Sequence, residues 1–373
     1  MILRALALVA CLAIAACAPR GTVVVMPEAA SVGEVERVFI GSTRRNDGAG
    51  ENYSRNRGYQ TRFARFDVSI PPDRELGSLP WPPRNGAPDP RKHMLTTGSA
   101  GYDDDAAFRA ALRSEMASQR KGAREAVIFV HGFNNTFAEG LYRFAQLHHD
   151  MALPGVPVHY SWPSRGTPLG YAYDRDSALF ARDGLEHLIR QVAAAGADRI
   201  FLVAHSMGSG LTMEALRQLA IRGDQPTLRR IGGVILISPD IDVDVFRAQA
   251  RMVGKLPQPF VVFTSARDRA LALSARLAGE SARLGNVRDV AVLAGLEVTL
   301  LEVGAFSQGD GHFTAGTSPT LIRLLNRISD MDNALGGDAR SRVGLLPGAV
   351  LTVQGATQII LSPVVALGEG LAQ

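Results

Sequence analysis

One serine in this chain lies where a catalytic nucleophile is expected. An apolar run at residues 201–204 leads through His205 to Ser206, which is followed by Met207-Gly-Ser-Gly and a segment of helical periodicity. A serine on such a sharp turn between a strand and a helix presents its hydroxyl at the edge of a sheet and can attack a carbonyl carbon. A serine that only caps a helix after a buried strand would give the same short pattern, so other residues must discriminate between the two interpretations.

Later loops supply the groups that a serine nucleophile needs. A serine hydroxyl becomes reactive when an imidazole accepts its proton and a carboxylate orients that imidazole. Asp268 and His312 each follow an apolar run of strand length, and His312 lies in a glycine-rich loop. Asp240 also follows such a run and is a second candidate for the acid. We therefore predict a triad of Ser206, Asp268 and His312, with Asp240 as the alternative acid.

An alternation of strands and helices positions these residues. The periodicity predicts strands at 126–130, 156–160, 199–204, 233–237, 260–264 and 297–303, and helices at 137–151, 177–195, 207–221, 243–252, 270–278 and 320–328. Such alternation indicates parallel strands joined by right-handed crossovers, so the predicted fold class is α/β. The carboxyl ends of the strands would bring the three loops to one edge of the sheet.

The amino-terminal third of the chain is less regular. Two runs rich in β-branched and aromatic residues, 35–41 and 66–70, predict a pair of antiparallel strands at one edge of the sheet. Apolar residues at helical spacing predict a helix at 105–119. Six arginines from Arg44 to Arg65 are interleaved with polar residues and glycine, which favours a solvated loop.

Two loops after buried strands carry residues with further roles. His131-Gly-Phe-Asn-Asn follows the predicted strand at 126–130, and Gly132 permits a tight turn there. A metal-binding role for His131 is disfavoured because no second histidine stands at metal-ligand spacing, so we predict no metal and no organic cofactor. Trp162 follows the next strand, and we assign it to the wall of a substrate pocket; a core position is equally compatible with the sequence.

Several segments resemble a bacterial α/β-hydrolase family whose function is unknown. They lie between residues 35 and 330 and comprise Arg37-Val-Phe-Ile-Gly-Ser-Thr, Val68-Ser-Ile-Pro, Val130-His-Gly-Phe-Asn-Asn, Ser161-Trp-Pro-Ser, Ala204-His-Ser-Met-Gly, Ser238-Pro-Asp-Ile-Asp and Ser265-Ala-Arg-Asp-Arg-Ala-Leu. The resemblance implies an α/β-hydrolase fold, with a mostly parallel central sheet flanked by helices. It also implies a serine triad, but no agreed substrate.

The resemblance implies roles for particular residues as well. In α/β-hydrolases, a His-Gly loop after the corresponding strand supplies one N–H to the oxyanion hole, and the residue after the nucleophile supplies the other. Those N–H groups belong here to Phe133 and Met207. The usual position of the acid in this fold, after the penultimate strand, favours Asp268 over Asp240.

The amino terminus has the pattern of a secretory leader. Arg4 precedes an apolar stretch that ends in Ile14-Ala-Ala-Cys17, and small residues before a cysteine resemble the lipobox of bacterial lipoproteins. The stretch is too short for an ordinary transmembrane helix. We therefore predict lipidation at Cys17 and a membrane-anchored location in the cell envelope, facing the periplasm. A plain signal peptide cut nearby and an uncleaved anchor are the alternatives.

The predicted organisation has four parts. Residues 1–16 are the signal peptide, 17–34 a linker, 35–330 the hydrolase domain and 331–373 a carboxyl-terminal extension. The extension alternates apolar and polar residues, and prolines and glutamines interrupt it, which disfavours a membrane span. Two roles are compatible with this pattern: the extension covers the edge of the domain, or it contacts the membrane.

Composition excludes several classes of function. Cys11 and Cys17 are the only cysteines, so the mature chain has no disulfide, no thiol nucleophile and no cysteine metal site. The net charge of +4 is too small to indicate a nucleic-acid-binding protein. A hydrophobic fraction of 46% supplies ample material for the core of one large domain.

The sequence as a whole favours a serine hydrolase that acts on carboxylic esters through an acyl-enzyme on Ser206. A small-molecule or lipid ester would be the substrate. Acyl transfer, thioester cleavage or peptide cleavage could use the same triad. A non-catalytic lipoprotein that keeps the hydrolase scaffold as a binding module is the alternative from another class. The sequence makes no prediction of acyl-chain length or oligomeric state.

Lipidation at Cys17 predicts the behaviour of a single-residue variant. Cys17→Ser should move the protein from the membrane fraction to the soluble fraction, because the variant has no thiol to carry the lipid. Cell fractionation followed by immunoblotting measures this shift, with Cys11→Ser as the control that stays with the membrane. Unchanged membrane fractionation of Cys17→Ser would reject the lipid anchor.

Overall fold

The computed structural model describes most of the region that the sequence assigns to the hydrolase domain. The described residues are 21–46, 53–83, 85–277, 279, 282–307, 311–326 and 348–361. The predicted leader, with Cys11 and Cys17, lies outside them.

One sheet organises the described residues. Its strands are β1 (Glu34–Asn46), β2 (Tyr53–Ile70), β3 (Leu95–Tyr102), β4 (Glu125–Val130), β5 (Val156–Ser161), β6 (Arg199–His205), β7 (Ile231–Ile237), β8 (Phe260–Thr264), β9 (Thr299–Glu302), β10 (Gly348–Val353) and β11 (Ala356–Leu361). Their spatial order is β10-β11-β9-β8-β7-β6-β4-β5-β1-β2-β3. In this spatial order, each neighbouring pair of strands between β11 and β1 is parallel. The pairs β1–β2, β2–β3 and β10–β11 are antiparallel.

Helices connect the parallel strands. They are α1 (Asp105–Met116), α2 (Phe137–Asp150), α3 (Tyr171–Ala194), α4 (Met207–Ile221), α5 (Gln225–Leu228), α6 (Val243–Val253), α7 (Arg269–Leu277) and α8 (Thr314–Thr317), followed by a helical segment at 319–326. Short 3₁₀ helices occur at Pro27–Ser31, Pro168–Gly170, Leu284–Asn286, Val290–Leu293 and Gly304–Phe306. Every residue of β4 and β5 is buried, as expected of central parallel strands covered on both faces. None of the helices in the described ranges combines the length and apolarity that a membrane crossing requires.

This architecture confirms the predicted α/β class. α4 and β8 have the bounds that the periodicity predicts, and the predicted amino-terminal strands form the antiparallel pair β1–β2. α3 begins at Tyr171 rather than at residue 177. The sequence pattern does not predict β3, because its two glycines weaken the strand signal.

Both ends of the described chain pack onto the sheet. β10 and β11 form a hairpin, and β11 pairs in parallel with β9, so residues 348–361 cover one edge of the sheet. The boundary that the sequence suggests at residue 330 therefore does not mark the end of the sheet. At the other end, Ala29 is fully buried and its carbonyl oxygen accepts a hydrogen bond from Ser69 Oγ of β2.

A histidine is buried between β5 and α2. His159 is fully buried, its Nδ1 donates to the carbonyl oxygen of Phe129 at 3.1 Å, and its ring packs against those of Phe129 and Phe144. Burial lowers the pKa of His159 to about 3. The folded protein therefore holds this imidazole neutral at pH values where an unfolded chain would protonate it.

The buried neutral state of His159 predicts loss of stability in acid. Between about pH 6.5 and 3 the unfolded chain binds one proton at this position that the folded protein does not bind. The free energy of unfolding should therefore fall by about 1.4 kcal/mol for each unit by which the pH is lowered in this range. His159→Gln keeps a donor for Phe129 but cannot titrate, and its slope should be smaller by that amount. Urea unfolding at pH 7, 6, 5 and 4 measures both slopes. Equal slopes would show that His159 does not stay neutral in the fold.

Candidate active site

The serine lies on a strained turn at the centre of the sheet. β6 ends at His205 and α4 begins at Met207, and Ser206 between them has φ 52° and ψ −124°. A positive φ is unfavourable for any residue with a Cβ and is often retained at functional sites. The N–H of Ser206 donates to the carbonyl oxygen of Ile237 at 2.9 Å, and its own carbonyl oxygen accepts from the N–H groups of Ser209 and Asp240. Both backbone groups of the strained residue are therefore held by neighbouring elements.

Two glycines let the loop after β4 lie against this turn. A Cβ added at Gly132 would lie 2.8 Å from Ser206 Cβ. A Cβ added at Gly208, in the first turn of α4, would lie 2.3 Å from the carbonyl oxygen of His131. Side chains at either position would push the loop and the helix apart. The loop at 131–135 consequently borders the serine directly.

The predicted histidine and acid lie in contact. His312 Nδ1 is 2.8 Å from Asp268 Oδ2, and the Asp268 carboxylate is fully buried. The N–H of Leu271 donates to the other carboxylate oxygen at 2.9 Å, which fixes the plane of the carboxylate. Because Nδ1 donates to a carboxylate, Nε2 is the nitrogen of His312 that would accept a proton in a triad.

His205 connects the histidine to the serine turn. Its ring centroid lies 4.8 Å from that of His312, and its Nε2 donates to the carbonyl oxygen of His312 at 3.4 Å. Burial, together with the neighbouring His312, holds the pKa of His205 well below its usual range, so this imidazole is neutral at neutral pH. His312 is thereby packed against the residue that immediately precedes Ser206.

Asp240, the alternative acid, has other partners. Its carboxylate oxygens accept from Ser274 Oγ at 2.6 Å and from Tyr171 Oη at 3.0 Å, and one of them lies 3.3 Å from Arg283 Nε. The side chain is buried among these groups. The carboxylate in contact with His312 is thus that of Asp268.

Trp162 is a core residue, and its assignment to the pocket wall is wrong. The side chain is fully buried, stacks on the ring of His131 at a centroid distance of 4.9 Å, and donates from Nε1 to the carbonyl oxygen of His131 at 2.7 Å. A buried indole needs an acceptor for its N–H, and the end of the neighbouring strand β4 provides it. Trp162 therefore supports the turn that begins at His131.

Two backbone N–H groups remain available beside the serine. In the loop after β4, the N–H of Asn134 donates to Asp174 and that of Asn135 donates to Ser164, whereas that of Phe133 has no hydrogen-bond partner among the described residues. The N–H of Met207 lies in the first turn of α4, where backbone N–H groups have no acceptor within the helix. These are the two N–H groups that the resemblance assigns to an oxyanion hole.

Membership of a family follows from comparison with known proteins. The model of the family described as "Alpha/beta hydrolase of unknown function (DUF900)" matches residues 104–319, which is more than half of the chain. The chain belongs to this family. The match includes the serine turn, the His-Gly loop and the residues Asp268 and His312.

The other similarities that the chain has to known proteins are distant. An uncharacterized protein of Nostoc is 28% identical over 135 residues, which cover 29% of this chain and 35% of that protein, so the match spans about a third of the relative. A fungal esterase of Rhizomucor miehei has 13% identity, covers 81% of this chain and 84% of its own, and has a TM-score of 0.35. An esterase of Pyrobaculum calidifontis has 13% identity, coverages of 82% and 86%, and a TM-score of 0.35.

A buried arginine that the sequence assigns to a solvated loop also borders the site. Arg44 lies at the end of β1, only 1% of it is exposed, and its guanidinium contacts the loops after β4 and β5. Burial lowers the pKa of Arg44 to about 9, so the group remains charged at neutral pH. The solvated-loop prediction is therefore wrong for Arg44. One sequence signal indicated a buried position: Arg44 follows the apolar run of β1, at the end of the strand that lies on the same side of the sheet as the serine.

A cavity of about 270 Å³ opens beside Met207. It lies between the first turns of α3, one face of α4 and the loop that joins β7 to α6. Its apolar lining includes Ala178, Leu179, Leu211, Ile241 and Val245. Asp240 and Arg283 line it as well. Because Met207 directly follows Ser206, the cavity borders the serine turn.

The contact between α4 and the loop after β4 predicts opposite effects of two similar substitutions. Gly208→Ala should destabilise the protein by about 1–3 kcal/mol, because its Cβ would collide with the backbone of His131. Gly210→Ala on the same helix should be neutral or should stabilise by up to about 1 kcal/mol, since its Cβ would meet Ile241 at an ordinary 3.6 Å. Urea unfolding of both variants measures the difference. Equal stability of the two would contradict the close approach at Gly208.

Proposed function

We propose that this protein is a serine hydrolase that cleaves carboxylic esters through an acyl-enzyme on Ser206. One observation carries the proposal. The His312–Asp268 pair, at 2.8 Å, is packed against His205, which directly precedes a serine held at positive φ between a strand and a helix. A serine becomes a nucleophile when the imidazole of such a histidine–carboxylate pair accepts its proton, and a serine on a sharp strand-to-helix turn is the usual nucleophile of this fold.

Acylation is the first half of the reaction. Ser206 Oγ attacks the carbonyl carbon of the ester while His312 Nε2 accepts the hydroxyl proton, and Asp268 stabilises the imidazolium that forms. The carbonyl oxygen becomes an oxyanion and accepts from the N–H groups of Phe133 and Met207. When the intermediate collapses, the bond from the carbon to the alcohol oxygen breaks, and His312 gives its proton to the departing alcohol.

Deacylation repeats these steps with water. His312 Nε2 takes a proton from water as the water oxygen attacks the acyl carbon, and the same two N–H groups stabilise the second oxyanion. The bond between the acyl carbon and Ser206 Oγ then breaks. The proton returns from His312 to the serine, and the carboxylic acid leaves.

The cavity beside Met207 supports an ester with an apolar portion. Its lining includes aliphatic side chains beside charged ones, and burial of an apolar portion against the aliphatic side chains would contribute affinity in proportion to the apolar area that is removed from water. We further propose that the protein acts in the cell envelope, anchored through a lipid at Cys17. This proposal rests on the leader sequence alone.

Covalent labelling tests the nucleophile. A fluorophosphonate probe should label the wild type and should not label Ser206→Ala, because phosphonylation requires the activated hydroxyl.

Activity on p-nitrophenyl esters of increasing acyl length, assayed beside Ser206→Ala, should identify the preferred acyl group. Absence of labelling and turnover in folded wild type would contradict the proposal. Saturable ligand binding that Ser206→Ala leaves unchanged, without turnover of any ester, would support a binding module instead.

Two matched carboxylate variants test the acid. Asp268→Asn should lower kcat by about 10³–10⁴-fold, because an amide cannot hold the tautomer that His312 needs or stabilise its charged form. Asp240→Asn should keep kcat within an order of magnitude, since Asp240 contacts Tyr171, Ser274 and Arg283 rather than His312. Thermal unfolding of both variants controls for folding. Full activity of Asp268→Asn beside a folded and inactive Asp240→Asn would transfer the role of the acid to Asp240.

A further inference from the structure

The loop that carries the N–H of Phe133 is held by two buried charged side chains from outside its own strand and helix. This segment, residues 131–135, is called here the oxyanion loop. It contains Asn134 at φ 58°, a left-handed conformation that an asparagine tolerates but that neighbouring groups must hold. Arg44 of β1 approaches the segment from one side, and Asp174 of α3 approaches it from the other.

Arg44 contacts both ends of the oxyanion loop. Its Nη2 donates to the carbonyl oxygen of Asn135 at 2.9 Å and lies 3.4 Å from His131 Nε2. His131 Nε2 also lies 3.1 Å from the carbonyl oxygen of Trp162, and His131 Nδ1 lies 2.9 Å from that of Gly132. Burial and the charge of Arg44 hold the pKa of His131 well below its usual range, which keeps that imidazole neutral.

The same guanidinium connects the oxyanion loop to the loop after β5. Its Nε donates to Ser161 Oγ at 2.9 Å, and its Nη1 donates to the carbonyl oxygens of Ser164 at 3.1 Å and Ser54 at 3.3 Å. One fully buried cation therefore fixes the positions of three chain segments. A lysine could not reproduce this, because its single ammonium lacks the planar fork of donors.

Asp174 holds the middle of the oxyanion loop. Its Oδ2 accepts from the N–H of Asn134 at 3.1 Å and from Ser164 Oγ at 2.5 Å, and its Oδ1 accepts from the N–H of Arg165 at 2.6 Å. Ser164 Oγ in turn accepts from the N–H of Asn135 at 3.0 Å. The N–H groups of Asn134 and Asn135 are thus turned towards Asp174 and Ser164.

We propose that Arg44 and Asp174 are positioning residues that hold the oxyanion loop so that the N–H of Phe133 points at the oxyanion. This inference rests on the proposed serine-hydrolase function and assigns to it two residues outside the triad. Neither side chain contacts the reacting atoms in this scheme. They act by fixing the hydrogen bonds on either side of Phe133, which leaves its N–H as the one directed to the substrate.

The effect should appear in kcat more than in KM. An oxyanion exists only in the transition state and the tetrahedral intermediates, so a displaced N–H weakens their stabilisation with little effect on binding of the ester. Displacement of a donor by about 1 Å can cost about 10²-fold in rate. A residue that only supports the fold would instead change stability without this separation of kcat from KM.

The experiment compares Arg44→Lys and Arg44→Met with Arg65→Met in the full-length protein. Arg65 lies on the same β1–β2 hairpin and pairs with Asp67, away from the oxyanion loop, so it serves as the matched control. We expect both Arg44 variants to lose about 10²-fold in kcat and in the rate of fluorophosphonate labelling, with KM within about threefold of wild type. Arg65→Met should keep all three values. Circular dichroism and thermal unfolding identify the variants that are folded.

Ser164→Ala keeps the experiment decisive if the Arg44 variants do not fold. It removes only the hydroxyl that joins Asp174 to the N–H of Asn135, and Arg44 keeps its bond to the carbonyl oxygen of Ser164. We expect a loss of about tenfold or more in kcat, with KM unchanged. Folded variants with kcat within threefold of wild type would overturn the positioning role. A wild type that is neither labelled nor active on esters would instead refute the hydrolase proposal itself.

Discussion

The backbone of Ser206 is the constraint on which the rest of the site depends. A serine at φ 52° is strained by roughly 1–3 kcal/mol, and such a conformation persists only when its surroundings hold it. The carbonyl oxygen of Ile237 at the end of β7 and the N–H of Asp240 in the following loop provide that support, together with the first turn of α4. The strain is thus tied to the parallel pairing of β6 with β7. Glycine at positions 132 and 208 is a consequence, because the loop after β4 must approach this turn closely.

The buried ionisable groups around the serine turn differ in charge. Arg44 and Asp174 are charged groups without solvent, and each is satisfied by several hydrogen bonds, which is the condition under which buried charge is tolerated. The neighbouring imidazoles of His131 and His205 are held neutral instead. This matters most for His205, whose ring lies against His312. A second positive charge there would oppose the charge that His312 acquires when it accepts the serine proton.

The two sides of the sheet differ in whether they support the serine site. The hairpin of β10 and β11 covers one edge next to β9. On the other side of the sheet, β1 pairs in parallel with β5 and ends beside the loop that follows β5. The last residues of β1 therefore lie at the carboxyl ends of the parallel strands, where Ser206 also lies. The antiparallel partner β2 then supplies the carbonyl oxygen of Ser54 to the same guanidinium. An element that the sequence suggests is peripheral therefore supports the loop on which oxyanion stabilisation would depend.

The sequence by itself determined the alternation of strands and helices and the order of Ser206, Asp268 and His312 along the chain. Hydrophobic periodicity and turn-forming residues are local signals, and they need no knowledge of distant contacts. The tertiary structure decided that Asp268 rather than Asp240 contacts His312, and that Arg44 and Trp162 are buried beside the oxyanion loop. Each of these outcomes joins segments far apart in the chain. The spatial order of the strands, with β1 next to β5 and β4 next to β6, brings them together, and no local pattern encodes that order.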